Sequence, residues 1–256
     1  MEEKISSLLY ESSGLRPLFN PMESSEDHVP SPLVVDMTVD IANHSRLYHT
    51  HTEEVRELLA QAQAVVTDSE RMSQLARKYT KGLVVAAPWG WTTVQDRETP
   101  FTIGLLNYNE EQEVINKQLR KFFKGLKQPL LAYGQPLDWF DNEDNRATQD
   151  WEMFAGEVDV LLLVGSQHVI PSLTLPISAM MSGAVVLATK DYSLLAPASG
   201  TFIMPSLEPR LWAGEIKKFE QNLRRLGSLK QLNANYARQI SKESQGLIFR
   251  LARRLT

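Results

Sequence analysis

The sequence predicts an α/β protein of Rossmann-like parallel sheets, with long helices at its C-terminal end. Three observations carry that expectation. Short β-branched runs alternate with segments of helical period along most of the chain. The run from Val158 to Val164 is apolar almost throughout, as befits a strand covered on both faces. A helical segment over 172–182 then ends at Gly183, where a left-handed cap fits, before a second apolar run at 184–189.

Residues 1–32 are polar and carry Pro17, Pro21, Pro30 and Pro32, so a short helix over 3–10 and then loop is expected. Leu33 to Met37 is a short apolar run after prolines and reads as a strand. Over 52–62, Val55, Leu58, Leu59 and Ala62 recur at helical spacing, with Glu53, Glu54, Arg56 and Glu57 on the other face. Residues 64–67 form the next strand. Asp68 or Ser69 then caps a helix reaching about Tyr79, with Met72, Leu75 and Ala76 on its inner side. Residues 83–87 are a strand stopped by Pro88 and Gly90, and 91–100 read as a linker.

The rhythm then repeats. A strand over 101–106 precedes a helix over 110–125, whose stripe is Val114, Ile115, Leu119 and Phe122. A strand at 129–133 is followed by an acidic, polar stretch at 138–148, read as loop. A short helix at 149–156 leads to the buried strand at 158–164. A last strand is expected at 201–204, and two long helices over 209–226 and 229–255. The expected organisation is a shortened N-terminal α/β domain over 1–95, a Rossmann-like domain over 96–230, and a C-terminal helix over 231–256 that packs back on the body.

Composition bounds the partners. With 27 basic and 31 acidic residues the formal net charge is −4, which does not suit nucleic acid. The chain has 0 cysteines, so disulfides and thiolate metal sites are excluded; a reducing, cytoplasmic setting is expected. The start, Met1-Glu2-Glu3-Lys4, lacks the basic-then-apolar order of a signal peptide. No apolar run approaches the roughly 20 residues of a membrane span, so membrane contact is expected to be peripheral at most.

Four stretches, in order, resemble the retaining, family-4-like glycosyltransferases of the GT-B type. The segment Val158-Asp159-Val160 through Ser166 is similar to that family's "aDv" strand ending in serine. Pro176 to Thr189 is similar to its "EAMAxGxPVVAT" helix and strand. Ala62 to Ser69 resembles its "ADxVVTxSE" strand, and Leu83 to Trp91 resembles its interdomain strand and loop. The resemblance implies a donor-binding C-terminal domain preceded by a shortened N-terminal one. It also implies a nucleotide-sugar substrate, with no cofactor and no metal.

The chemistry of such a site is direct. A departing diphosphate needs anion stabilisation, which free N–H groups at a helix start provide. Ligands of open α/β sheets sit at the carboxyl ends of the strands. The resemblance therefore places donor binding at Gly165, Ser166, His168, Ser178 and Gly183. Its charges are replaced, however. The helix glutamate corresponds to Ser178, and the earlier glutamate falls near Val169 or Ile170. Leu105 to Asn109 stands where a basic residue usually follows the first strand, and the nearest lysine beyond is Lys117. Catalytic residues are not assignable from the sequence.

Other candidates have two readings each. His44, His49 and His51 are either metal ligands or loop residues; no acidic partner stands at HExxH spacing. His28 is a further histidine of the five, and His168 is either a donor-phosphate contact or a plain exposed loop histidine. Asp36 and Asp40 are either a base at a strand end or turn residues. Arg238, Lys242, Arg250, Arg253 and Arg254 make the last helix basic, either for anionic lipid or as a solvated face. Trp139, Phe140 and Trp151 are either a partner surface or core. Two functions follow: transfer of a sugar from a nucleotide-sugar donor, or a non-catalytic relative that binds a small ligand or a partner. That partner would be another glycosyltransferase or a second copy of the chain.

Overall fold

The computed structural model describes residues 16–17, 34–36, 57, 59–88, 90, 92, 101–107, 116–117, 119–126, 129–134, 136, 145–164, 173–197 and 200–255. The chain forms two units. Unit 1 comprises Met1–Trp89, Ser172–Thr174 and Ile240–Thr256; unit 2 comprises Gly90–Pro171 and Leu175–Gln239.

Unit 1 is built on a four-stranded sheet in the order β1-β2-β3-β4. Its strands are β1 (Arg16–Pro17), β2 (Val34–Asp36), β3 (Ala64–Thr67) and β4 (Leu83–Ala86). β2, β3 and β4 run parallel, while β1 pairs antiparallel to β2. The β1 pairing lies inside the stretch expected to be loop after residue 10. Two residues at a sheet edge leave no period to read, and an edge is where Pro17 does least harm to a ladder. β3 is buried along its whole length, so its alanine and valines face side chains above and below. Helix α1 (Glu70–Ala76) follows. Ser69 is its cap, for the Ser69 hydroxyl accepts from the Met72 backbone N–H at 3.2 Å. Asp68 does something else: its carboxylate accepts the backbone N–H of Leu173 at 2.9 Å. The core of this unit brings Ala64, Val66 and Ala87 against Leu251, with Val85 and Ile248 at its margin.

Unit 2 holds a six-stranded sheet, ordered β10-β9-β8-β5-β6-β7. The strands are β5 (Ile103–Asn107), β6 (Leu130–Gly134), β7 (Arg146–Thr148), β8 (Val160–Leu163), β9 (Val185–Ala188) and β10 (Thr201–Ile203). Every neighbouring pair is parallel. Counted from β5, this is the doubly wound order 3-2-1-4-5-6, with the chain reversing direction across the sheet between β5 and β8. β7 falls within the segment read as a polar loop. It is a three-residue edge strand, exposed for two of its residues, and it pairs on one side only, so it has no apolar signature to show. A 3₁₀ turn over Lys190–Leu195 was also not foreseen.

Helices α2 (Arg120–Leu126), α3 (Trp151–Glu157), α4 (Thr174–Met181) and α5 (Pro209–Gln221) cover this sheet. Trp212 of α5 is fully buried and meets the Phe122 ring edge-on at 5.1 Å. Helix α6 (Leu223–Leu255) is 33 residues long and contributes to both units. Its first half is fixed to unit 2 by polar side chains. Lys230, 5 % exposed, pairs with Asp159, whose other oxygen accepts the Thr102 N–H at 2.9 Å. Asn233, fully buried, donates to the carbonyls of Ala184 and Gly200 at 3.0 Å each and accepts the Gly200 N–H at 2.9 Å. The side chain thus ties α6 to the backbone where β9 and β10 begin, and at Gly200 it adds to the ladder bond that the carbonyl accepts from the Val186 N–H at 2.9 Å. The helices expected at 3–10 and over most of 52–62, and nearly all of the 91–100 linker, lie outside the described residues.

Candidate functional site

In a doubly wound sheet the crevice for ligands opens where the strand order reverses, outside the carboxyl ends of the strands. In unit 2 that point lies between Leu106-Asn107 of β5 and Leu163-Val164 at the end of β8. A small cavity of about 10 Å³, room for about one water, lies there, with Leu106, Leu163, Val164, Asn116 and Tyr192 in its wall. The sequence fills the strand ends with leucine and valine because both faces of this sheet are covered. The polar element is an amide pair. Asn116, 3 % exposed, donates through Nδ2 to the Leu106 carbonyl at 3.0 Å and to Asn107 Oδ1 at 2.9 Å. Asn107 is itself 1 % exposed. The described wall therefore offers an amide and a phenol, and neither a carboxylate nor a cation.

One strand over, Tyr133 stands near the carboxyl end of β6. Its ring meets Trp151 edge-on at 5.0 Å and lies 5.5 Å from Phe154. Burial first, and the Asp150 charge second, push the Tyr133 phenol above its ordinary value, so it remains a neutral hydroxyl. Asp150 itself caps α3, accepting the N–H groups of Glu152 and Met153 at 2.8 and 3.1 Å. Trp151 is thus a core residue of this cluster, 8 % exposed. Of the reading that made it part of a partner surface, Trp139 and Phe140 lie outside the described residues.

α4 carries Ser178, which the resemblance in sequence aligns with a helix glutamate of the GT-B enzymes. The helix is buried nearly all round, as a segment apolar on every side should be. Ser178 is fully buried. Gly90 lies against it closely enough that a Cβ on Gly90 would come within 2.7 Å of the Ser178 nitrogen and 2.8 Å of its hydroxyl oxygen. The helix closes in a Schellman motif. The Gly183 N–H donates to the Met180 carbonyl at 3.0 Å, and the Ala184 N–H to that of Ala179 at 2.9 Å. Gly183 holds the positive φ of 104° that this cap requires. It therefore sits at the C-terminal end of α4, where β9 begins.

Comparison with known proteins follows the fold. No family model and no curated protein matches the sequence. Solved structures do. The chain is similar to sucrose-phosphate synthase from Thermosynechococcus elongatus, with a TM-score of 0.55 at 14% identity, over 84% of this chain and 66% of that one. It is similar to TarM with a TM-score of 0.51 at 10% identity, over 78% of this chain and 45% of that one. The fold is that of the GT-B glycosyltransferases. The chain spans just under two thirds of the first of these proteins and less than half of the second.

Within this GT-B fold, the sequence-derived site residues separate. Ser178 and Gly183 are described, and lie on the body and at the end of one helix. Gly165, Ser166 and His168 lie outside the described residues, as do Val169 and Ile170. So do His28, His44, His49, His51 and Asp40; Asp36 ends β2. Among the described residues no cluster could hold a metal ion, and no helix is long and apolar enough to cross a membrane. Sequence reasoning missed Asn116 and Asn107. Asparagine at the end of a strand reads as a turn residue, and only the sheet order shows that this strand borders the crevice. It also missed Lys230 and Asn233, which look like ordinary polar positions of a long helix.

Proposed function

We propose that this chain is a glycosyltransferase-like protein that binds without transferring sugar. The observation that carries this reading is Ser178: the residue in the glutamate position is fully buried beneath Gly90. A hydroxyl there can hydrogen-bond, but it supplies no charge to a departing diphosphate or to a donor sugar. The amide pair Asn107–Asn116 points the same way. It occupies the end of β5, where the resemblance expects a cation, and its groups satisfy each other and the Leu106 carbonyl. Electrostatic stabilisation of developing charge is usually the largest single contribution to catalysis, and neither residue provides it.

What remains is a crevice frame and a scaffold. Residues 165–172 precede α4 in the sequence, and a nucleotide or nucleotide sugar bound at Gly165, Ser166 and His168 is the small-ligand form of this reading. The macromolecular form is a partner glycosyltransferase or a second copy. It is favoured by exposed leucines on the last helices of unit 2, with Leu211 42 %, Leu223 65 % and Leu232 47 % exposed. We place the protein in a reducing, cytoplasmic compartment because it has 0 cysteines.

The test is turnover. The chain is incubated with UDP-, GDP- and ADP-linked hexoses, with and without sugar and peptide acceptors, and release of the nucleoside diphosphate is followed. No release above the enzyme-free rate is expected. Release that saturates with one donor would establish transfer and set this reading aside.

A further inference from the structure

We propose that the C-terminal half of α6 docks this protein onto an anionic lipid surface. The site is built from one stripe of the helix. Lys242, Gly246, Phe249 and Arg253 recur at intervals of three and four, so they line one face, with Arg250 and Arg254 on its flank. Phe249 is 54 % exposed, and the four cations around it are all exposed. The opposite face carries Ser241, Ser244 and Leu251, which are buried, and Leu251 joins the core of unit 1. Among the described residues the helix is therefore committed on one side and open on the other.

Two features separate this stripe from an ordinary solvated face. The first is Phe249. A phenylalanine ring half in water at the centre of a charged stripe loses the stabilisation that burial would give it, and Phe249 is 54 % exposed. The second is charge. Between 242 and 254 the sequence has Lys242, Arg250, Arg253 and Arg254 against one carboxylate, Glu243, in a chain whose net charge is −4. A basic surface segregated on an acidic protein complements an anionic plane. Gly246 leaves a gap beside Arg250, whose Nη1 lies 3.6 Å from where a Cβ would be. The guanidinium thus lies back along the helix toward Gly246. Apolar insertion combined with cationic attraction is how interfacial helices hold to anionic membranes; either contribution alone is weak. The four cations on an otherwise acidic chain, with one aromatic ring among them, match the charge and the apolar interior of an anionic bilayer.

The experiment is co-sedimentation of the full chain with phosphatidylcholine vesicles, with and without phosphatidylserine, at low and raised salt. Binding is expected only with phosphatidylserine, and it should weaken with salt. Each cation near the surface contributes roughly fivefold in partitioning. Joint Arg250→Gln, Arg253→Gln and Arg254→Gln should therefore reduce binding on the order of a hundredfold. Phe249→Ser should reduce it without changing the salt dependence. These side chains are exposed, and circular dichroism should show the helix intact. Three outcomes would each overturn the proposal: no binding to phosphatidylserine vesicles at low salt, equal binding to neutral vesicles, or binding indifferent to these substitutions. Capture of labelled poly-glutamate by a chain that ignores the vesicles would also overturn it, and would assign the stripe to an acidic protein partner.

Discussion

Asn116 bonds the last carbonyl-bearing turn of β5 twice over, to the Leu106 carbonyl at 3.0 Å and to the Asn107 side chain at 2.9 Å. The bonds join helical residue Asn116 to the strand that borders the crevice. Asn116→Ala removes both bonds and leaves two buried acceptors. The expected loss is about 1–3 kcal/mol in urea unfolding, and Asn116→Asp should cost at least as much, because a carboxylate cannot donate to Leu106. An unchanged midpoint in both variants would show that the pair does not hold the strand end.

The pair Asp159–Lys230 ties α6 to the sheet, and Asp159 also holds the Thr102 N–H. Lys230→Met leaves Asp159 without its cation. The expected cost is about 2–3 kcal/mol, less than for a fully buried pair, because the Asp159 side chain keeps 19 % of its exposure. Adding Asp159→Asn should recover part of that loss. A double-mutant cycle reads the coupling; strict additivity would deny it.

Two glycine replacements should move stability in opposite directions. Gly183→Ala forces an L side chain into φ 104° and should destabilise by about 1–2 kcal/mol. Gly214→Ala lies within α5 with no atom within 4 Å of the new Cβ and should stabilise by about 0.5–1 kcal/mol. Thermal melts of the two variants give the signs directly.

Tyr133 should make stability fall in alkali. Its folded phenol is held above the ordinary value of 10.0 by burial, with a smaller push from Asp150. Its contribution is therefore complete below the unfolded value and is lost as pH rises through the folded one. Spectrophotometric titration of the native chain and of Tyr133→Phe should differ by a late-ionising tyrosine that the variant lacks. A titration in which all tyrosines ionise together would contradict the assignment.

Much of the fold was legible because burial dictates composition. Val160–Leu163 and Val185–Ala188 can hardly be anything but central parallel strands, and Gly183 announces the end of α4. The edges were not legible. Arg146–Thr148 and Arg16–Pro17 are held by a single neighbour and need no apolar side chain. The candidate site was legible as a place but not as a set of groups. The strand-loop-helix order locates the crevice, whereas the burial of Ser178 depends on Gly90, which lies 88 positions earlier in the sequence. Likewise Asp159 reads as a family signature in the sequence. In the structure its partner is Lys230, which no local pattern connects to it.

The most direct measurement is calorimetric titration of the chain with UDP, GDP and ADP and with their sugars, paired with the turnover of each. The account predicts no turnover with any donor, whether or not a nucleotide binds, and the same null turnover in Ser178→Ala. A donor that is consumed by the native chain, and spared by Ser178→Ala, would show that the buried serine position still serves transfer and would contradict the central claim.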